Sequence, residues 1–168
     1  MWNTVKAHFS KRKAGLQVAR LLIEHGIRVD PSGRFYVGEV EVADVSLARA
    51  AGVDRRVVRD TATFILGDRR LKTIFQKLRP AGSSLAEVAS VLGYGVLKVA
   101  ADPHKPGIIA GVSKVLADRG VLIRQALADD PDLHPEPLLT LVVEGHVPAE
   151  ALEELRGLPN VKSITLMS

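Results

Sequence analysis

The stretch that decides the fold is ADPHKPGIIAGVSKVLADRGVLI, residues 101–123. An acidic residue, a His, a Lys and a Pro-Gly pair lead straight into a periodic apolar segment. PGIIAGVSKVLADRG predicts a helix, with Pro106 near its first position and Gly120 closing it. Before it, VLKVAA (96–101) reads as a short apolar strand. After it come a strand, VLIRQALA, an acidic Pro-rich loop, DDPDLHPEP, and a second strand, LLTLVVEG. A helix again starting with Pro, PAEALEELRG, and a last strand, VKSITLM, complete the segment. The order βαββαβ predicts a ferredoxin-like arrangement, an antiparallel sheet with both helices on one face.

Three chemistries compete for the loop at 102–107. A phosphate cradle of the Walker type fails, because Gly107 and Gly111 are one residue too close and Ser113-Lys114 are displaced and inverted. GYG at 93–95 has no third glycine, so the dinucleotide fingerprint fails as well. A catalytic corner is poorly supplied: Asp102 and His104 form a conceivable acid–base pair, yet no nucleophile with an oxyanion hole stands near. A sensing pocket suits the residues better. Free N–H groups at a helix N-terminus favour a carboxylate, Gly107 admits a ligand close to the backbone, and Asp102 can receive an ammonium group. Together these describe an α-amino-acid site; the alternative is that Pro106-Gly107 only starts a helix.

The rest of the chain narrows the function class. At 168 residues with 46% hydrophobic and 25% charged content, it has the composition of one or two small globular domains. The absence of cysteine excludes a disulfide framework, a Cys-ligated zinc site and thiol catalysis. Among five histidines (8, 25, 104, 134, 146) no pair has metal-ligand spacing on one helix, and each is expected as a solvated surface group. No metal, cofactor or catalytic residue is expected. MWNTVKAHFSKRK has no apolar signal core and no run reaches the ~18 residues of a membrane span, so a cytoplasmic protein is expected. Asn and Gln are scarce, as in thermophilic proteins.

Charge is unevenly shared. Residues 1–80 carry 16 Lys/Arg against 8 Asp/Glu, a balance of +8, while residues 81–168 carry 7 against 11, a balance of −4. Two units with different partners are expected, the first suited to a polyanion.

In the front half, SKRKAGLQVARLLIEHG predicts a helix capped by Ser10, with Leu16, Ala19, Leu22 and Ile23 on its apolar face. Asp30-Pro31-Ser32-Gly33 predicts a tight turn between short alternating strands, a hairpin or a three-segment ribbon. DVSLARAAGVDRRVVRDTATFI then meets the requirements of a helix–turn–helix one by one. Asp44 is read as the first cap. Ala48 is small where two helices cross, Gly52 makes the turn, and Asp54 caps the second helix. Leu47, Val53 and Val58 fill the angle between the helices. Arg56, Arg59, Asp60 and Thr63 share the outward face with Arg55 at its edge, a surface suited to a major groove. Asp68 opens a further helix whose Arg69, Arg70 and Lys72 extend a phosphate-binding stripe. A helical dimerisation domain without DNA uses the same spacing. RPAGSS reads as linker, and Ser84 with Glu87 as a capping box for a short helix closed by Gly93.

DPHKPGIIAGVSKVLADRGVLIRQ resembles the first half of an ACT domain, whose strand–D-x-P-G–helix turn lines an amino-acid effector pocket. LLTLVVEG…PAEALEELRGLPNVKSITLM is similar to its second half. With SLARAAGVDRRVVRDT and KLRP added, nearly the whole chain resembles archaeal helix–turn–helix plus ACT proteins predicted to regulate amino-acid metabolism. The resemblance implies Asp102, Gly107 and Ile108 at the ligand loop, with His104 and Lys105 as added loop residues. It implies Ile123, Arg124 and Gln125 on the second strand, which in ACT dimers adjoins a neighbour's loop. Three residues separate Asp102 from Pro106 where many such loops have one. The expected organisation is a helix–turn–helix-type domain at 1–82, a linker with a short helix at 83–95 and an ACT-like domain at 96–168. The expected function is a homodimeric regulator that binds a small amino-acid effector and, through Arg55, Arg56, Arg59, Thr63, Arg69 and Arg70, DNA. The alternative is a protein-binding regulatory subunit of a biosynthetic enzyme that does not bind DNA.

Overall fold

The computed structural model describes residues 1–167. The chain divides after Gly82 into two compact units. The described residues form a mixed α+β structure with two antiparallel sheets and seven α-helices.

The first unit begins with a helix the sequence reading passes over. Trp2, Val5 and Phe9 fall at helical spacing and are all buried, which makes α1 (Trp2–His8) amphipathic. That helix displaces the expected cap: α2 (Lys13–Glu24) starts after Arg12 with no side-chain cap, and Ser10 lies in the preceding turn. Val18, Ala19, Leu22 and Ile23 are its buried face, and Leu16 is only half-buried. Past its end stands Gly26 at φ +62, where a Cβ would lie 2.5 Å from the Pro80 nitrogen and 2.6 Å from Arg79 C and O. Only glycine suits that backbone and that approach.

A three-segment ribbon follows: β1 (Arg28–Val29), β2 (Phe35–Val37) and β3 (Val40–Val42), in that spatial order. Asp30 builds the turn between β1 and β2. One of its carboxylate oxygens accepts from the Ser32 N–H, the Ser32 hydroxyl and the Arg34 N–H, at 2.7–2.9 Å. The turn brings Val29 opposite Phe35, both buried.

Next, α3 (Asp44–Ala51) ends at Gly52, φ +64, and α4 (Arg55–Gly67) starts after Asp54, whose carboxylate accepts from the Arg56 N–H. Asp68 caps α5 (Arg69–Lys77) by accepting from the Arg70 and Leu71 N–H groups. The expected cap at Asp44 is corrected: Ala43 occupies the cap position and Asp44 is the first helical residue, its carboxylate turned elsewhere. Phe9, Val18, Leu22, Phe35, Val58, Ile65, Leu71 and Phe75 form the core. Each such side chain stabilises the unit by about 1.5–3 kcal/mol on full burial.

In the second unit β4 (Tyr94–Ala101), α6 (Ile108–Asp118), β5 (Ile123–Ala128), β6 (Leu138–Glu144), α7 (Ala149–Arg156) and β7 (Val161–Met167) follow in that order. The sheet order is β5-β6-β4-β7, with every neighbouring pair antiparallel. Period-2 alternation sends Leu97, Val99, Leu139, Leu141 and Val143 to one face, where they pack with Val112, Val115 and Leu116 of α6 and Ala151 and Leu155 of α7. The other face presents Val96 and Val142.

Residues 83–95, expected as a linker with a short helix, instead close over that second face. Ala89 is buried against Val96 and Val142, with Leu85, Ala86 and Tyr94 beside them. The segment forms two 3₁₀ turns, Ala86–Val88 and Ser90–Leu92, rather than one capped helix. Leu85, not Ser84, stands at the cap position of the first turn, and Ser84 Oγ accepts from the Ala86 N–H at 3.3 Å rather than from Glu87, so the capping box does not form; the Leu85 N–H goes to the Gln125 side chain. Pro106 likewise stands two residues before the first helical position, because Gly107 occupies the cap position and α6 begins at Ile108. Among the described residues no helix is long and apolar enough to cross a membrane.

Candidate functional site

The loop from Asp102 to Gly107 joins the end of β4 to α6, and Asp102 organises it. Its carboxylate accepts from the His104 N–H at 3.1 Å and its carbonyl from the Lys105 N–H at 3.2 Å. Its own N–H donates to the Asn160 carbonyl at 3.0 Å, tying the loop to the turn before β7. Gly107 then takes φ +95, outside the range of ordinary L-residues, and turns the chain into α6. That helix carries no side-chain cap, so the N–H groups of its first turn are free of one.

Beside this loop lies a cavity of about 560 Å³. Its floor comes from three adjacent strands, where register sets Val99 opposite Leu139 and Leu139 opposite Ala128. Ile108 and Ile109 close one side, and the returning loop with Asp129, Pro131 and Pro137 closes another. That loop is held by Asp129, whose N–H donates to the Leu138 carbonyl and whose carboxylate accepts from the Leu138 N–H, at 3.0 and 3.1 Å.

Of the predicted ligand residues, Asp102, Lys105, Gly107 and Ile108 line this cavity, and His104 does not. Ile123, Arg124 and Gln125 are not brought to it within the chain. β5 runs in the same direction as β4, so the start of β5 lies at the other end of the sheet, where Ile123 and Gly95 both face Val143. Arg124 pairs with Glu144 at 3.2 Å and sits over the Tyr94 ring. Gln125 donates to the Ser83 carbonyl at 2.7 Å and accepts from the Leu85 N–H at 2.9 Å, holding the 83–95 segment down. The sequence reading misses Val99, Ala128, Asp129 and Leu139. The antiparallel order alone carries the signal for them, because it returns the acidic loop to the end of the sheet where Asp102 stands.

In the first unit the predicted arginines divide into two groups. Arg59 donates through Nε to Asp44 at 2.8 Å, and Arg55 Nε lies 3.7 Å from the same oxygen. Both guanidinium groups stay more than half exposed, but they are fixed on an internal counter-ion. Arg56, Arg69 and Arg70 are exposed and enter no ion pair among the described residues. Thr63 is exposed, its hydroxyl donating to the Arg59 carbonyl at 3.1 Å. His8, expected as a solvated group, is instead shared between α1 and the α5 cap: one ring nitrogen is 2.8 Å from the Thr4 carbonyl and the other 3.5 Å from Asp68.

No protein-family model matches the chain, and no curated protein does. Among solved structures, one described as the crystal structure of PH0061 matches at 15% sequence identity. The match covers 92% of this chain and 88% of that chain, with a TM-score of 0.28. A likeness of that size fixes neither fold nor function.

Proposed function

We propose that the chain is a ligand-responsive regulator of amino-acid metabolism, with no enzymatic activity of its own. The second unit is a ferredoxin-like, ACT-like module that binds a small amino-acid effector and forms a homodimer. The first unit is a helix–turn–helix that binds DNA. The observation that carries the reading is the cavity of about 560 Å³ beside the Asp102–Gly107 loop, at the uncapped start of α6. Such a place offers backbone N–H groups and a helix dipole to a carboxylate, and Asp102 offers an acceptor to an ammonium group. The β5-β6-β4-β7 order supports the ferredoxin-like assignment. The turn at Gly52 between α3 and α4, with Asp54 as cap, supports the helix–turn–helix. In a dimer, effector binding then biases the spacing of two reading helices, which engage half-sites about 34–36 Å apart.

A thermal-shift screen of the full chain against the common amino acids tests the sensing half; no stabilisation by any of them sinks it. A gel shift repeated at rising salt tests the DNA half, because phosphate contacts lose affinity steeply with salt. A shift that is absent, or indifferent to salt, sinks that half.

The Asp44 counter-ion favours a second reading. With Arg55 and Arg59 already paired, the first unit suits docking on a biosynthetic enzyme without DNA. Co-purification of such an enzyme, free of nucleic acid, distinguishes this from the first reading.

A further inference from the structure

The cavity is far more apolar than an amino-acid head group requires. Among its lining residues only Asp102, Lys105 and Asp129 carry charge, and the rest are Val, Ala, Ile, Leu, Pro and Gly. Small residues make the room. Ala128 stands in the same cross-strand row as Val99 and Leu139, and Ala101 and Ala110 also leave space where larger side chains would fill it. Its volume lies within the about 300–1,000 Å³ typical of organic-ligand pockets. Glycine or serine would leave most of these apolar walls unfilled, and water gains little against them.

The charged groups complement a zwitterion. Lys105 enters no ion pair among the described residues, and it shares its side of the cavity with the start of α6. Asp102 and Asp129 each have a carboxylate oriented by a backbone N–H, from His104 and Leu138. One positive and two negative side chains thus stand at the rim of an apolar volume.

We propose that this cavity takes an α-amino acid with a large apolar body, aromatic or long branched aliphatic, with Lys105 receiving its carboxylate and Asp102 and Asp129 its ammonium group. The proposal rests on the amino-acid reading above and replaces the small effector expected there with a large apolar one. It also gives Lys105, one of the residues that lengthen the loop, the task of recognising the head group.

The test is calorimetric titration of the full chain with L-phenylalanine, L-leucine, glycine, L-serine, 3-phenylpropionate and phenethylamine. The two large apolar amino acids bind, and glycine and serine do not at the same concentration. The two compounds that lack one charged group bind about tenfold more weakly or less, as expected for loss of one charge-assisted contact. Lys105→Gln weakens L-phenylalanine by a similar factor and leaves phenethylamine unmoved. Ala128→Leu fills the cavity from an exposed strand position and abolishes binding while the melting temperature holds. Tighter binding of glycine or serine overturns the apolar body and leaves the amino-acid reading standing. Equal binding of 3-phenylpropionate overturns the zwitterion and that reading with it, as does binding of none of the six. If Ala128→Leu changes the sedimentation mass instead, a second copy of the chain occupies the cavity and the proposal falls.

Discussion

Gly26 and Gly52 offer a matched pair of substitutions that separates backbone strain from close packing. Their φ values are +62 and +64, so alanine meets the same conformational resistance at both. That resistance is about 1–2 kcal/mol for an L-residue in the left-handed region. The reduced freedom of the unfolded chain returns about 0.4–1 kcal/mol. At Gly52 nothing lies within 4 Å of the added carbon, so Gly52→Ala costs about 1 kcal/mol and no more. At Gly26 the same carbon falls 2.5 Å from Pro80 N, against an ordinary contact of 3.4–4 Å. The obstacle is backbone, which cannot rotate aside. Either the end of α2 or residues 79–80 must shift by about an ångström, a distortion of the kind that costs about 1–3 kcal/mol in a packed region. Gly26→Ala therefore loses about 2–4 kcal/mol in total. Urea denaturation of both variants, followed by circular dichroism, reads the difference as a lower midpoint at similar slope for Gly26→Ala. Equal losses in the two variants would show that residues 79–80 give way freely, and would refute the reasoning.

Three further outcomes follow from charges and tethers. Asp44→Asn releases Arg59 and Arg55 at a stability cost of about 1 kcal/mol, because both guanidinium groups stay more than half exposed although the carboxylate is mostly covered; if the first unit binds DNA, the log–log salt slope of binding steepens by about 1–2, and an unchanged slope rules those arginines out as phosphate contacts. The Leu71 N–H, joined by the Arg70 N–H and the charges of His8 and Arg70, outweighs partial desolvation and holds the Asp68 carboxyl below its ordinary value. A carboxyl lowered on folding stabilises above its unfolded pKa and loses that contribution as pH falls through the folded one. The stability gap between the parent and Asp68→Asn should thus be widest at neutral pH and close in acid; a gap constant with pH contradicts this. Gln125→Ala removes both bonds that hold Ser83 and Leu85, so amide exchange across 85–92 should quicken by about fivefold for each bond's roughly 1 kcal/mol. Exchange that stays at the parent rate would show that the apolar contacts of Ala89 suffice.

What could be read from the sequence was local chemistry. The Asp30–Gly33 turn, the Asp54 and Asp68 caps, the break at Gly52 and the succession of elements from Tyr94 to Met167 each depend on residues within a turn or two of one another. Ser10 and Asp44 show where local chemistry misleads. Both are good capping residues, but α1 consumes the segment before Ser10, and Asp44 is drawn to Arg59 across fifteen positions of chain. Ser84 and Glu87 also miss, because the turn starts one residue later with Leu85 at its cap, a residue that a glutamine forty positions further on holds by its N–H. The candidate site divides similarly. The loop residues 102, 105, 107 and 108 were legible because one turn carries them, whereas Ala128, Asp129 and Leu139 arrive by strand pairing. The placing of Ile123, Arg124 and Gln125 against a neighbour's loop came from resemblance; within the chain they stand on β5 at the end of the sheet away from Asp102.

The position of β4 also sets an order of events. It is the first strand of its sheet along the chain, yet it lies inside, with Val96 opposite both Val142 and Met167. Neither of its neighbours exists until the chain has passed a helix and a further strand, and the second needs another helix besides. During synthesis the first unit has all its partners by residue 82, while β4 emerges with both hydrogen-bonding edges bare. Pairings this distant along the chain close slowly. The second unit is the half of the molecule with something for a chaperone to guard, and an early stop before β7 leaves a central strand open to a stranger.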